Sequence, residues 1–588
     1  MLKRTHKCGE LRADNIGEEA VLSGWVANWR DHGGLAFIDL RDRTGITQVV
    51  FRPENDPELH ARARELRAEY CISVRGTVEK RPPEMENPDI PTGQVELVAA
   101  EMELHSASET PPFEVQSTDD VSVEVRLRNR FLDLRGPRMQ RNLEMRHRLM
   151  QATRRYLAEC GFIEVETPFL TKSTPEGARD YLVPSRVNPG RFYALPQSPQ
   201  LFKQLLMIGG LDRYFQIVKC FRDEDLRANR QPEFTQIDVE MSFVDEEDVM
   251  EVSEGLVARL FEQVLGRQLE RPLPRMTYHD AMAKYGTDAP DLRFGLEVRD
   301  ISDIAAGCEF RVFSGTVEDG GQVRGLCVPG GAEMPRSQVD DLVDWVGQFG
   351  AKGLAWFKIR DNKPEGGIAK FFKEGEINAI RKRFGAEDGS ILFFIADTRS
   401  VCNLTLSHLR LRLGRELDLI DREQDALCWI VDPPAFEIDE RTDRLTFVHH
   451  PFTSPRSEDV GKLESDPTAA RARAYDMVMN GQEIGGGSIR ISDYDLQMRI
   501  LRILGFSDEQ VEERFGFFMN ALRYGAPPHG GIAFGFDRMV MTMLGIEDIR
   551  DTIAFPKTQR AVSLLTEAPG EVSPEQLREL GIRLDIEE

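Results

Sequence analysis

Several things are scarce in this chain, and each scarcity argues against a class of function. No apolar run approaches the ~18 residues that a membrane helix needs, so no membrane partner is expected. The opening MLKRTHKCGE lacks the apolar stretch of a secretory signal, and a cytoplasmic location is expected. Cysteine is rare: Cys8, Cys71, Cys160, Cys220, Cys308, Cys327, Cys402 and Cys428 stand singly, with no CxxC pair and no histidine at zinc-finger spacing. They read as reduced, partly buried thiols, which argues against a zinc site. Positive charge is in deficit, with 75 Lys and Arg against 99 Asp and Glu for a net charge of −24. That balance argues against a protein that coats nucleic acid indiscriminately, and no DNA partner is expected. Internal repeats and low-complexity tracts are absent as well.

What is present fits a multidomain α+β enzyme. A chain of 588 residues, 41% apolar and 30% charged, is too long for one hydrophobic core. Residues 1–105 read as five short strands with helical PELHARARELRAEY between the third and fourth, the order of an OB-fold barrel. Trp25, Trp29 and Phe37 are available there beside Arg30, Arg41 and Arg43, which suits stacking of unpaired RNA bases. Trp25 is expected inside the barrel and Phe37 to be more open. Residues 106–138 are polar and proline-bearing, as a hinge would be. From Arg126 to Arg155 ten arginines stand against two acids, Asp133 and Glu144, either as a solvated helical face or as a phosphate-contacting surface. Residues 139–289 alternate helix and strand. Residues 290–425 carry their own apolar patterns and glycine-rich turns, as an inserted α+β domain would. Strand-rich patterns resume over 426–560, and 561–588 read as a C-terminal extension.

Three stretches carry chemistry. FRDEDLRANRQPEFTQIDVEMSF, Phe221 to Phe243, alternates apolar and charged residues around a polar turn. Read as two antiparallel strands, period two puts Arg222 and Glu224 on one face, and Gln236, Asp238 and Glu240 on one face of the partner. So many charges meet either water or a polar ligand. In AYDMVMNGQEIGGGSIRI, Asn480-Gly481 is a two-residue turn signal that pairs Val478 with Glu483. Asp476 then lies diagonally across from Glu483, with backbones roughly 7–8 Å apart. Two carboxylates so placed can hold magnesium, which leaves its other positions to water and phosphate oxygens. Gly485 to Gly487 would let a ligand approach the backbone, and Arg490 projects from the strand that follows. In GGIAFGFDRMVMTMLG, Gly530, Gly531 and Gly535 interrupt an apolar strand, after which Asp537 and Arg538 open a helix. Arginine near a helix N-terminus favours an anion.

Together these stretches resemble the signature motifs of class II aminoacyl-tRNA synthetases: GFIEVETPFLTKSTPEGARDYLVP the first, the Phe221–Phe243 stretch the second, and GIAFGFDR the third. YALPQSPQLFKQLL, HHPFTSP, EIGGGSIRI and the insertion at 290–425 resemble the bacterial form of the aspartyl branch. The third motif often ends in Glu-Arg and carries another glycine where Ala533 stands; Asp537-Arg538 is as in aspartyl enzymes. The resemblance implies an OB-fold anticodon domain, an antiparallel-sheet core with helices, and a homodimer with Pro168 at the interface. It implies an ATP-dependent ligase that converts L-aspartate to aspartyl-adenylate and pyrophosphate, then transfers the aspartyl group to tRNA. In-line attack of a carboxylate on the α-phosphorus depends on positioning and charge neutralisation, and needs no side-chain base.

The resemblance also implies roles. Arg222 would hold the α-phosphate and Arg538 the γ-phosphate, the catalytic pair, with Phe234 and Arg538 sandwiching the adenine. Asp223, Glu224, Gln231, Glu483, Gly535, Phe536 and Asp537 complete the ATP set, and Asp476 with Glu483 would hold magnesium. Gln200, Lys203, Asp238, His449, Arg490 and Arg222 match aspartate contacts, and Glu176 matches a loop residue that closes over the amino acid. Lys203 and Arg490 suit the side-chain carboxylate and Asp238 the ammonium; asparagine offers that pair no charge and lysine is repelled. In the anticodon domain Phe37 would stack, with Arg30 and Gln48 as hydrogen-bonding partners. His32 stands where enzymes restricted to tRNA(Asp) usually carry leucine and those that also charge tRNA(Asn) often carry histidine. Glu84 occupies a second such position, where strict bacterial enzymes can carry lysine. Both tRNAs are therefore expected as partners. The alternatives are a strictly tRNA(Asp)-specific enzyme, an asparaginyl or lysyl synthetase, and a catalytically silent RNA-binding paralogue. Lys203 with Arg490 argues against the second, and intact Arg222, Glu483 and Arg538 against the third.

Overall fold

In the computed structural model the chain forms two compact units, Met1–Met150 with Asp225–Pro232 and Met543–Glu588, and Gln151–Glu224 with Glu233–Thr542. Residues 1–174, 177–224, 229–439 and 442–586 are described. Among them no helix is long and apolar enough to cross a membrane.

The first unit contains a closed barrel of strands Glu19–His32, Leu35–Asp42, Gly45–Phe51, Val95–Ser106 and Cys71–Lys80 in spatial order. Helix Pro57–Arg64 lies between the third and fourth strands in sequence, opened by Asp56, whose side chain accepts from the Leu59 amide. Leu22, Val26, Ile38, Leu40, Val74 and Leu97 fill the interior. Period two corrects both aromatic expectations. Trp25 is out of phase with inward Leu22 and Val26, so it is half-buried outside the core, with the Arg135 guanidinium 4.8 Å over its ring. A register shift between Val26 and Asn28 instead turns Trp29 against the core, where its indole donates to the Ala63 carbonyl. Phe37, out of phase with Ala36 and Ile38, stays outside that core, yet it is only 8% exposed between Arg30 and Val50 in the ladder.

The arginine-rich stretch is in part neither a solvated face nor a phosphate surface. Arg126 and Arg130 are buried on Asp133, and Arg126 also on Asp551. Arg130 further donates to the carbonyls of Arg550, Ile553 and Ala554. Buried cations require such partners, and the C-terminal segment supplies them.

The second unit is built on an eight-stranded sheet in the order Arg275–Thr277, Leu427–Val431, Ala474–Met479, Gln482–Ile489, His529–Gly535, Glu233–Ser242, Arg213–Phe221 and Ile163–Glu164. Only its outermost pairings are parallel. A separate antiparallel sheet of five strands lies between Arg299 and Asp397. Its neighbours Phe393 and Phe394 enter different apolar clusters, as period two requires of a strand covered on both faces. The strand expected through Glu224 ends at Phe221, so Arg222 and Glu224 lie beyond it.

Candidate active site

Strand Glu233–Ser242 is central, paired on both sides, so its alternate residues Gln236, Asp238 and Glu240 are buried on one face. Two cations meet them: Lys203 from helix Gln200–Ile208, and Arg490 directly after strand Gln482–Ile489. Lys203 Nζ donates to Asp238 Oδ1 at 2.6 Å and lies 3.3 Å from Glu240 Oε2. Arg490 forks onto Glu240, Nε to Oε1 at 2.9 Å and Nη2 to Oε2 at 3.0 Å. Two buried cations cancel two buried anions, which is the condition for burying any of them. Burial raises the Glu240 carboxyl, but Arg490 and Lys203 outweigh it and hold its pKa at about 2. In Asp238 burial prevails over Lys203, and its carboxyl is raised. Gly531 has a packing reason: a Cβ there would stand 2.1 Å from Glu240 Oε2.

Asp238 Oδ2 and Gln200 Nε2, on the strand and the helix that Lys203 joins, are buried without a hydrogen-bond partner, and so is Arg222 Nε, beyond the end of strand Arg213–Phe221. Unsatisfied buried groups are costly, so each of these atoms is open to a polar ligand. The Arg222 guanidinium lies 5.1 Å over the Phe234 ring. The adjacent histidines part company. His450 Nε2 is 2.5 Å from Arg490 Nη1, and burial, then Arg490, push its pKa well down. His449, expected among the aspartate contacts, has Nε2 3.5 Å from Asp476 Oδ2; burial lowers its pKa, but Asp476 outweighs burial and raises it.

The hairpin of strands Ala474–Met479 and Gln482–Ile489 turns at Asn480 and Gly481, whose φ values of 52° and 79° a primed turn requires. Val478 pairs with Glu483, but the register then slips, and Asp476 faces Gly486 instead of lying on a plain diagonal. The carboxylates still converge. A Cβ on Gly486 would meet Asp476 Oδ1 at 2.5 Å and Glu483 Oε1 at 3.3 Å, and Asp476 Oδ1 is buried without a partner. Partial loss of water, then Asp476, raise the Glu483 carboxyl, whose side chain is still half exposed. Two repelling carboxylates over a cleared space fit a hard cation that takes few protein ligands. Among the described residues no group of three or more His, Cys, Asp or Glu side chains is placed to hold a metal.

Arg538, in the first turn of helix Phe536–Met543, donates from Nη1 to the Glu483 carbonyl at 2.8 Å. Several residues expected at the nucleotide have partners within the chain. Phe536 is fully buried, and Asp537, 2% exposed, accepts the Thr235 amide at 2.7 Å, which anchors the helix start to the neighbouring strand. The Asp223 amide and carbonyl are both engaged by Arg179. Gln231, in the first unit, has both ends of its side-chain amide on the Lys557 backbone, at 3.0 and 2.8 Å. Gly535 ends its strand, with only Arg538 Cβ near a would-be side chain, and Glu224 is half-buried. Glu176 lies outside the described residues.

On the outer face of the barrel, Arg30 stands beside Phe37 and reaches Asp39 at 2.8 Å and Gln48 Oε1 at 3.4 Å, while Gln48 Nε2 donates to Glu96. Arg81 joins them without having been singled out from sequence: buried, Nε on the Val95 carbonyl, Nη2 without a partner. Burial lowers its pKa, against the pull of Glu96 and Asp39. His32 is exposed before the Gly33–Gly34 turn, and Glu84 is exposed in the short helix Pro83–Met85. Sequence reasoning also gave no role to Glu240, though the two-residue period through Asp238 pointed at it, and none to Ser488.

Comparison with known proteins agrees with this geometry. The family model of tRNA synthetases class II (D, K and N) matches residues 122–559, and that of the OB-fold nucleic acid binding domain matches 20–104. A protein of Halothermothrix orenii named "Aspartate--tRNA(Asp/Asn) ligase" is 55% identical over 584 residues, 99% of each chain. One of the same name from Caldanaerobacter subterraneus subsp. tengcongensis is 54% identical, over 100% of this chain and 99% of its own. Among solved structures, asparaginyl-tRNA synthetase from Pyrococcus horikoshii with asparaginyl-adenylate superposes with a TM-score of 0.60 at 21% identity, covering 95% of this chain and 99% of its own. At that identity the likeness speaks for the fold alone. Across residues 122–559 the chain carries the catalytic framework of one enzyme class, preceded by the barrel of another recognised module, and it belongs to the class II aminoacyl-tRNA synthetase family, whose members are ATP-dependent ligases.

Proposed function

We propose that the protein activates L-aspartate with ATP and transfers it to tRNA(Asp) and tRNA(Asn). One observation carries the amino-acid assignment: Lys203 and Arg490 meet at a single oxygen of Glu240, beside an unpartnered Asp238 Oδ2. Two cations suit the side-chain carboxylate of aspartate, and the free oxygen suits its ammonium. Arg222 steadies the α-phosphate, with its unpartnered Nε as a donor, and Arg538 the γ-phosphate. Asp476 and Glu483 are the residues that would hold magnesium, which when bound neutralises phosphate charge. The names of relatives that are 54–55% identical support acceptance of both tRNAs. Exposed His32 is the residue on which that relaxation depends, with Glu84 secondary, and Arg30, Phe37 and Gln48 read the anticodon.

The decisive assay is ATP–pyrophosphate exchange with aspartate, asparagine and lysine, followed by aspartylation of purified tRNA(Asp) and tRNA(Asn) by wild type and His32→Leu. Exchange driven by asparagine or lysine but not aspartate would refute the amino-acid assignment; failure of wild type to charge tRNA(Asn) would refute the relaxed one. We further propose a homodimer, supported by Ile163, Phe169 and Leu170, all exposed around Pro168. Sedimentation as a monomer at micromolar concentration would contradict it. The domain division at 105, 138, 289, 425 and 560 and a cytoplasmic location belong to the same reading.

A further inference from the structure

We infer that Glu240 sets how many hydrogen-bond donors Lys203 and Arg490 present to the amino acid, leaving one on each cation, and so positions them for specificity. The inference rests on the aspartate reading above. A guanidinium has five N–H donors in a rigid fork and an ammonium has three. On Arg490, Nε and one Nη2 hydrogen go to Glu240, and Nη1 serves Ser488 Oγ and His450 Nε2, each at 2.5 Å. One Nη2 hydrogen is left. On Lys203, one donor goes to Asp238 Oδ1 and a second faces Glu240 Oε2, which also leaves one.

The two nitrogens that carry the remaining donors, Arg490 Nη2 and Lys203 Nζ, both contact the same atom, Glu240 Oε2. A substrate carboxylate spanning them receives one N–H on each oxygen. A carboxamide of the same shape has one acceptor oxygen, and its NH2 end would face a cationic donor with nothing to accept it. Without Glu240 the Arg490 fork regains two donors and loses its brace, so an amide oxygen can be met as readily as a carboxylate. A side chain at Gly531 would collide with Glu240 Oε2 and equally with the Val239 carbonyl oxygen.

The test is ATP–pyrophosphate exchange by the full-length enzyme with aspartate and with asparagine. Glu240→Gln keeps the shape and removes the charge. The expected result is a KM for aspartate raised about 10- to 100-fold, an unchanged KM for ATP, and an aspartate-to-asparagine preference lowered about 10-fold or more. Glu240→Asp, which restores the charge, should recover part of that preference. Ser488→Ala returns one donor to Arg490 without touching a charge and should lower the preference by a smaller factor. The inference is overturned if Glu240→Gln raises both KM values together and leaves the preference at the wild-type value, since Glu240 would then be only a buried ion pair. If Glu240→Gln does not fold, an unchanged preference in Ser488→Ala overturns it. Absence of aspartate-driven exchange in the wild type is a different result, and refutes the substrate assignment before any variant is made.

Discussion

Two clusters of charge occupy the same antiparallel sheet, and they are balanced in opposite ways. Around Glu240, two cations and two anions are buried together and nearly every donor has an acceptor. Around Gly486, Asp476 and Glu483 converge with His449 alongside, and partial loss of water together with repulsion by Asp476 raises the half-exposed Glu483 carboxyl. The first cluster is neutral before any ligand arrives, so it can discriminate by the few donors and acceptors it leaves open. The second has Arg538 4.0 Å from Glu483 Oε2 and His449 3.5 Å from Asp476 Oδ2, but no cation between its two carboxylates, so a ligand there would be chosen by the sign of its charge. Telling carboxylate from carboxamide needs donors in fixed directions; gathering a cation needs only carboxylates that face each other.

Breaking the neutral cluster should have the largest effect. Lys203→Met leaves Asp238 and Glu240 buried with one cation between them and should cost about 3–5 kcal/mol, read from urea unfolding. Breaking the unbalanced cluster should instead separate stability from activity. Glu483→Gln relieves repulsion, so its Tm should rise or hold while exchange falls about 100-fold. A wild-type rate in that variant would contradict the assignment of the carboxylate pair. The barrel sharpens the contrast from outside the sheet: Phe37→Ala should weaken tRNA binding by about 1–3 kcal/mol and leave tRNA-free exchange unchanged. The smallest effect is in pH. His450 has its folded pKa well below the ordinary 6.5, so the unfolded chain takes up its proton first and the stabilisation, complete above about pH 6.5, is lost as pH falls. His450→Gln should flatten the urea midpoint between pH 7.5 and 5.5 relative to wild type, whereas an unchanged slope would show that His450 is not the group involved.

The same contrast explains how much could be read beforehand. The period of two put Gln236, Asp238 and Glu240 on one face, and Asn480-Gly481 fixed the pairing of Val478 with Glu483, because both are local rules of backbone geometry. The slip that sets Asp476 against Gly486 was not legible, since one extra residue in a ladder has no signature in GQEIGGG. Nor was the fate of Asp537 and Gln231, whose polar ends are taken by backbone groups of Thr235 and Lys557, 302 and 326 residues away. Arg126 is the plainest case: its partner Asp551 is 425 residues distant, and no window of sequence could have removed it from a basic surface.

Residue order alone is enough for the classes of element and chemistry: a five-strand barrel, a charged face on a central strand, a carboxylate hairpin, and arginines suited to phosphate. These follow from spacing, which local sterics convert directly into direction. Which charges are spent and which are left depends on contacts made by folding. Glu240 takes three contacts that sequence distance conceals, a Cβ on Gly531 would collide with that carboxylate, and Asp238 Oδ2 stays open because Lys203 reaches only its neighbour. Hydrogen-bond capacity is shared among groups brought together by folding, so what remains for a substrate is known only once every partner is in place.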